Sequence, residues 1–119
     1  MTEINGKVWG VTQKLFNKNN VEINRIEIKD GGFCSLHKHS SKFNMFYVES
    51  GELVIHVLKS DYNLTDKTVL TTGQFCVVIP NEYHKFTATK NTVCFEIYYV
   101  ELDVNDIQRK DVGGVIWIK

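Results

Sequence analysis

Alanine occurs once in the 119 residues, at Ala88, and proline once, at Pro80. The scarcity of the best helix former, beside an abundance of β-branched Val, Ile and Thr, argues against helices and for an all-β domain. No repeat, low-complexity tract or Pro/Ser-rich linker divides the chain, so one domain is expected. Excess charge is also missing: 14 Lys and Arg balance 14 Asp and Glu. Nucleic acid is thereby excluded as a partner, because binding it depends on neutralising phosphates, and an anionic membrane surface is excluded likewise. No apolar run approaches the ~18 residues of a membrane span, and the opening MTEINGKVWG has no apolar core behind positive charge, so a cytoplasmic protein is expected. Cys34, Cys76 and Cys94 form no short-spaced pair and leave an odd thiol, which reads as reduced, buried cysteine.

What is present is a succession of short extended runs broken by turn signals, the pattern of a sandwich or barrel. Val21 to Ile28 ends at Asp30-Gly31-Gly32, and Phe33 to His39 reads as the next strand. Phe43 to Val48, the turn Glu49-Ser50-Gly51 and Glu52 to Leu58 read as a β-hairpin. A polar loop opens at Asp61-Tyr62-Asn63, and Val69-Leu70 precedes Thr71-Thr72-Gly73. Gln74 to Ile79 is an apolar strand closed by Pro80-Asn81; His84 to Thr87 begins another, and Val93 to Leu102 is the longest candidate. The tail from Asp103 offers one helical turn around Val104 to Arg109, then an apolar end, Val115 to Ile118. Phe33, Phe43, Phe46, Phe75, Phe86 and Phe95 are expected mostly in the core.

The chemistry concentrates in His37-Lys38-His39, with His84 far downstream. On a strand, side chains at i and i+2 share a face about 6.6 Å apart, so both imidazoles can converge on one ion. Asn44, Phe46 and Val48 share a parity and are expected to wall one cavity, whereas Cys34 has the parity opposite to His37 and is expected to point away from the ion. His56, between the apolar Ile55 and Val57, is expected on the outer face, and Tyr83 at the rim. On the late strand Cys94-Glu96-Tyr98 and Phe95-Ile97-Tyr99 take opposite faces, and alternation alone does not choose between them. If Glu96 and Tyr98 face inward, a carboxylate and a phenol are available as general base and acid.

The spacing Gly31-x5-His37-x-His39-x4-Asn44-x6-Gly51, followed by Gly73-x6-Pro80-Asn81-x2-His84, resembles the two motifs of the cupin superfamily. Asn44 stands where that family carries Glu, Ile79 where it carries Pro, and Asn81 where it carries Gly. Asn is a natural substitute at the last position because it tolerates a left-handed backbone. Trp9-Gly10, Ser35-Leu36-His37-Lys38-His39, Glu96 and Asp106-Ile107-Gln108-Arg109 with Asp111 are similar to elements of the cupin domain of type II mannose-6-phosphate isomerases. The terminal Arg of that family is replaced by Val115.

This resemblance implies a single jelly-roll β-barrel over residues 1–119, with its core at about 21–102 and the N- and C-terminal extensions packing on it. It also implies a divalent transition metal, Zn, Fe, Ni or Mn, at His37, His39, Asn44 and His84. With Asn44 in place of Glu, the ion would keep its full charge, favouring a small anionic ligand such as a sugar phosphate. Three functions follow: an isomerase- or epimerase-like enzyme using Glu96 and Tyr98, a non-haem Fe(II) dioxygenase with a three-His site, or a non-catalytic binding or assembly cupin. Arg109 and Lys110 could attract a phosphate or pair with Asp106 or Asp111. Small cupins commonly pair through sheet edges, and with the apolar tail available to dock, a homodimer is expected.

Overall fold

The computed structural model describes residues 3–59, 64–101 and 103–116, which form nine β-strands and no helix. They are β1 (Glu3–Lys7), β2 (Gly10–Lys18), β3 (Val21–Ile28), β4 (Phe43–Ser50), β5 (Glu52–Lys59), β6 (Leu64–Thr71), β7 (Phe75–Val78), β8 (Tyr83–Ala88) and β9 (Thr92–Tyr99). Antiparallel pairing arranges them in a six-stranded sheet, β1-β2-β3-β9-β4-β7, and a three-stranded sheet, β6-β5-β8. This is the all-β, two-sheet architecture that the sequence leads one to expect. The loop Asp61-Tyr62-Asn63, Leu102 and the end of the apolar tail lie outside the described residues.

Alternation along the strands builds the interior. Ile26 and Ile28 on β3, Phe46 and Val48 on β4, Leu53 and Ile55 on β5, Phe86 and Ala88 on β8 and Cys94 on β9 bury one face of each strand and form a continuous apolar core. Two of the six phenylalanines expected in the core, Phe46 and Phe86, are buried there. Phe33 and Phe75 are 63% and 58% exposed, and Phe43 and Phe95 lie half-buried on the outer face of the large sheet. Their parity is that of the outer side, and aromatic pairing, Phe43 stacked on Tyr99 at 5.3 Å between ring centroids, shelters them there.

The expected hairpin between β4 and β5 does not form. β4 pairs with β9 and β7, and β5 pairs with β6 and β8, so Gly51 is a corner at which the chain changes sheets. Phe46 and Val48 on the inner face of β4 and Leu53 and Ile55 on that of β5 stand in opposing sheets, which lets them bury one another. The corner depends on glycine. Gly51 has φ +97°, and a Cβ there would lie 2.4 Å from the Asn91 carbonyl oxygen and 2.6 Å from Thr92 Oγ1. Thr92 Oγ1 in turn accepts from the Glu52 amide and donates to the Glu52 carbonyl, both at 3.1 Å, tying the corner to the start of β9. Gly51→Ala is expected to cost roughly 2–4 kcal/mol; a urea melt of the purified variant checks this.

Two further departures bear on function. Phe33 to His39 is not a regular strand but makes isolated bridges to β8, Phe33 with Thr87 and His37 with His84. The register slips by one residue between them. Within the slip, the Phe86 amide donates to Cys34 Sγ at 3.2 Å, and the Ser35 carbonyl is occupied by the His37 ring. Residues 3–18, which carry no strong extended signal, form β1 and β2 and widen the large sheet at one edge. After β9, residues 103–116 show a turn at Val104-Asn105, capped by Asp103 Oδ1, in place of a helical turn, and are exposed throughout, Arg109 and Lys110 included.

Candidate metal centre and its cavity

The barrel interior changes character along its axis. Across the large sheet, Ile26, Cys94 and Val48 stand in register. The next inward row is Asn24, Glu96 and Phe46, and the one beyond is Glu22, Tyr98 and Asn44. The interior thus passes from apolar to polar within two rows, and the polar end is where His37, His39 and His84 gather. Their ligating nitrogens lie within 4.8 Å of one another. The His37 and His84 backbones exchange hydrogen bonds of 3.1 and 2.8 Å, so neighbouring chain segments present both rings to one side, with centroids 4.6 Å apart. The left-handed residue expected before His84 is present: Asn81 has φ +68°, and its amide donates to the His39 carbonyl at 2.7 Å, anchoring the loop that carries His39 to the turn before β8.

Protonation of these rings is set by their surroundings. His37 Nδ1 donates to the Ser35 carbonyl at 2.7 Å and His84 Nδ1 to the Glu82 carbonyl at 2.9 Å, which turns the Nε2 of each ring away from those carbonyls and toward the cluster. Burial lowers the pKa of His39 to about 4, with Lys42 and the other two rings adding to the effect. Burial also lowers His84, partly offset by its bond to the Glu82 carbonyl. His39 Nε2 and Asn44 Oδ1 are buried without any hydrogen-bond partner. Buried polar atoms are rarely left so, and three imidazoles with ligating nitrogens this close together are a donor set suited to a divalent cation. The three-His set therefore fits the divalent metal that the resemblance implies. Asn44 is completely buried, and its Nδ2 contacts His84 Nε2 at 3.3 Å.

The structure decides the question left open on β9: Cys94, Glu96 and Tyr98 face inward, and Phe95, Ile97 and Tyr99 lie outside. Glu96 and Tyr98 line a polar cavity of about 330 Å³ together with His37, Cys34 and Phe86. Burial raises the pKa of Glu96, opposed by hydrogen bonding from Tyr98, Asn24 and Asn44 and by His37. Burial and the Glu96 charge hold the Tyr98 phenol well above its ordinary range, so it remains a proton donor. The Tyr98 ring lies 5.1 Å from His39, edge to face, and 3.8 Å beneath Lys42 Nζ, a cation–π contact.

Cys34 corrects the parity argument. It lines the same cavity as His37, because the one-residue register slip between Phe33 and His37 brings both to one side. Burial pushes its thiol up to about 11, so it stays protonated, and it is not among the clustered metal-binding side chains.

His56 takes the expected outer face, in register with Lys67 and Lys85, and its Nε2 lies 3.1 Å from Thr87 Oγ1. Burial and the two lysines lower its pKa below 6.5. Below pH 6.5 the unfolded chain therefore binds a proton that the folded one resists, and His56 contributes a loss of stability as pH falls. His56→Gln is expected to flatten this part of the profile, as measured by melting temperature between pH 7 and pH 5.

Trp9, of the Trp9-Gly10 element noted in the sequence, lines the cavity, and residues not anticipated complete it: Asn5, Lys7, Thr12, Lys14, Glu22 and Asn24. Asn24 left a signal, a polar residue sharing the parity of Ile26 and Ile28. Those of β1 and β2 left none, since the position of that hairpin depends on its pairing with β3. The isomerase-like segment Asp106 to Arg109 is exposed and does not line this cavity.

The protein family described as "Cupin domain" matches residues 24–100. No curated protein matches the sequence. Among solved structures, KdgF from Halomonas sp. aligns at 13% identity and a TM-score of 0.71, covering 85% of this chain and 88% of that one. An RmlC-like cupin from Shewanella frigidimarina aligns at 22% identity and 0.67, covering 84% and 85%. Bacillus subtilis oxalate decarboxylase, in a structure concerned with its Mn(II) centres, aligns at 12% and 0.74, where this chain covers 27% of the longer protein. At these identities the likeness is one of fold.

Proposed function

Because the chain belongs to the cupin family, we propose that it is a metal-dependent enzyme of isomerase or epimerase type, acting on a small anionic carbohydrate. The observation that carries this reading is that Glu96 and Tyr98, an acid–base pair, share one polar cavity with His37 of the three-His cluster. His37, His39, His84 and the orphaned Asn44 Oδ1 would hold a divalent ion, which when bound supplies Lewis acidity to a carbonyl. The chain's own residues account for the proton movements. Ionised Glu96 takes the proton from the carbon beside the carbonyl and returns it to the neighbouring carbon, ending as it began, while Tyr98 gives a proton to the carbonyl oxygen and recovers one from the adjacent hydroxyl. Burial favours this, since a carboxylate whose pKa is raised is a stronger base than an exposed one. Tyr98, held protonated, donates its O–H to the substrate oxygen on which charge develops.

The test is metal analysis of protein purified without a metal-binding tag, followed by a hexose-phosphate screen with metal restored. Turnover that disappears in His37→Ala supports the proposal. Absence of turnover, or bound iron with O2 consumed in the presence of thiols, overturns it; the latter result points to a three-His dioxygenase.

A further inference from the structure

We infer that the N-terminal hairpin is an anion grip: Lys14, two strands from Glu96, holds a terminal phosphate or carboxylate of the substrate, and Lys7, four residues further along the hairpin register, reaches the same anion from β1. The inference rests on the site reading above and names the substrate class for it, a polyhydroxylated carbonyl compound whose anionic group is remote from the reacting carbon.

Asn5, Lys7, Trp9, Thr12 and Lys14 all line the Glu96 cavity, and all precede residue 24, where the match to the cupin family begins. The matched segment thus supplies the His cluster and Glu96, and residues before it supply the far wall. Lys14 stands opposite Asn24 on β3, and Asn24 opposite Glu96 on β9. Two strand spacings of ~4.8 Å put the Lys14 and Glu96 backbones about 10 Å apart on one face. A ligand of roughly six carbons bridges that gap with its charged end at the lysine. β2 bulges at Leu15, directly after Lys14, a device that re-aims a neighbouring side chain.

Charge in the cavity is compatible with this assignment. Of the two lining carboxylates, Glu22 accepts from Asn24 Nδ2 at 2.9 Å and Glu96 is assigned to proton transfer. Lys14 has only a loose, solvent-exposed contact with Glu3, 3.9 Å, worth little and readily exchanged for a ligand anion. Lys7 forms no ion pair among the described residues. Asn5, Thr12 and Asn24 add side chains suited to hydroxyl groups.

The experiment is titration calorimetry of the full chain, metal-loaded and chelated, with glucose 6-phosphate, glucuronate and glucose. The anionic sugars are expected to bind at least about tenfold more tightly than glucose, and the double variant Lys7→Gln/Lys14→Gln to lose about that factor for them alone. Its melting temperature should match the parent's, and Lys7→Arg/Lys14→Arg should retain the preference. Whichever anion loses more identifies the terminal group. Equal binding of all three sugars by the parent, or unchanged anion binding by the Gln variant, overturns the grip. If no sugar phosphate turns over but the Gln variant loses anion binding, the isomerase reading fails and the grip stands. If turnover occurs with KM unchanged in the Gln variant, the grip fails and the isomerase reading stands.

Discussion

Replacement of His84 by alanine is expected to abolish stoichiometric binding of divalent metal, weakening it by more than the 10- to 100-fold that follows loss of a mere supporting contact. His84 sits where everything at the polar end of the barrel meets. It is fully buried, its backbone exchanges hydrogen bonds with His37, and its ring lies beside Asn44 and the other two imidazoles. Metal at a hundredfold excess over Kd stabilises the folded state by about 2.7 kcal/mol. For a domain of this size that raises the melting temperature by roughly 10 °C. The wild-type protein should show this rise with its cognate ion, and His84→Ala should not. Elemental analysis with paired melts, with and without metal, measures both. An undiminished metal response in the variant would remove His84 from the ligand set.

Glu96→Gln is expected to reduce turnover by about 10²- to 10⁴-fold while leaving metal content intact, because the amide keeps the shape of the side chain and cannot take a proton. The same substitution should raise stability near neutral pH. Burial raises the folded pKa of Glu96 above its ordinary value of 4.5, so above pH 4.5 the unfolded chain gives up a proton that the folded chain retains. Stability therefore falls as pH rises from 4.5 toward the folded pKa, and this carboxylate is a burden above it. Chelated Glu96→Gln should lack that decline in a series of urea melts. A variant that loses activity together with its metal would show instead that Glu96 supports the ligands.

The extent to which the site was legible differs residue by residue. His37 and His39 could be joined from strand alternation alone, whereas Asn44 and His84 were added to them only by the resemblance of the two motifs to those of cupins. Asn81 could be foreseen in a left-handed turn because few residues other than glycine adopt one. Cys34 was misplaced because parity holds only while pairing is regular, and a one-residue slip beside β8 reverses it. The pairing of β4 with β5 was misread for a related reason. Glu49-Ser50-Gly51 has the composition of a hairpin turn and serves as a corner between sheets, since local sequence says where a chain bends and not which strand it then joins.

The residues by themselves determined an all-β domain, a barrel-like rhythm of strands and the placing of His37 and His39 on one face. Those are properties of propensity, periodicity and spacing along one chain. Tertiary structure alone decided that Cys94, Glu96 and Tyr98 face the cavity. Both faces of β9 carry apolar side chains, so the inner one is chosen by what β3 and β4 place beside it: Asn24 and Asn44, with which Glu96 can share hydrogen bonds inside the barrel. Tertiary structure alone also brought Lys7 and Lys14 to the site. A strand edge pairs with whatever backbone reaches it, and the position of the β1–β2 hairpin follows from that pairing rather than from any pattern within residues 3–18.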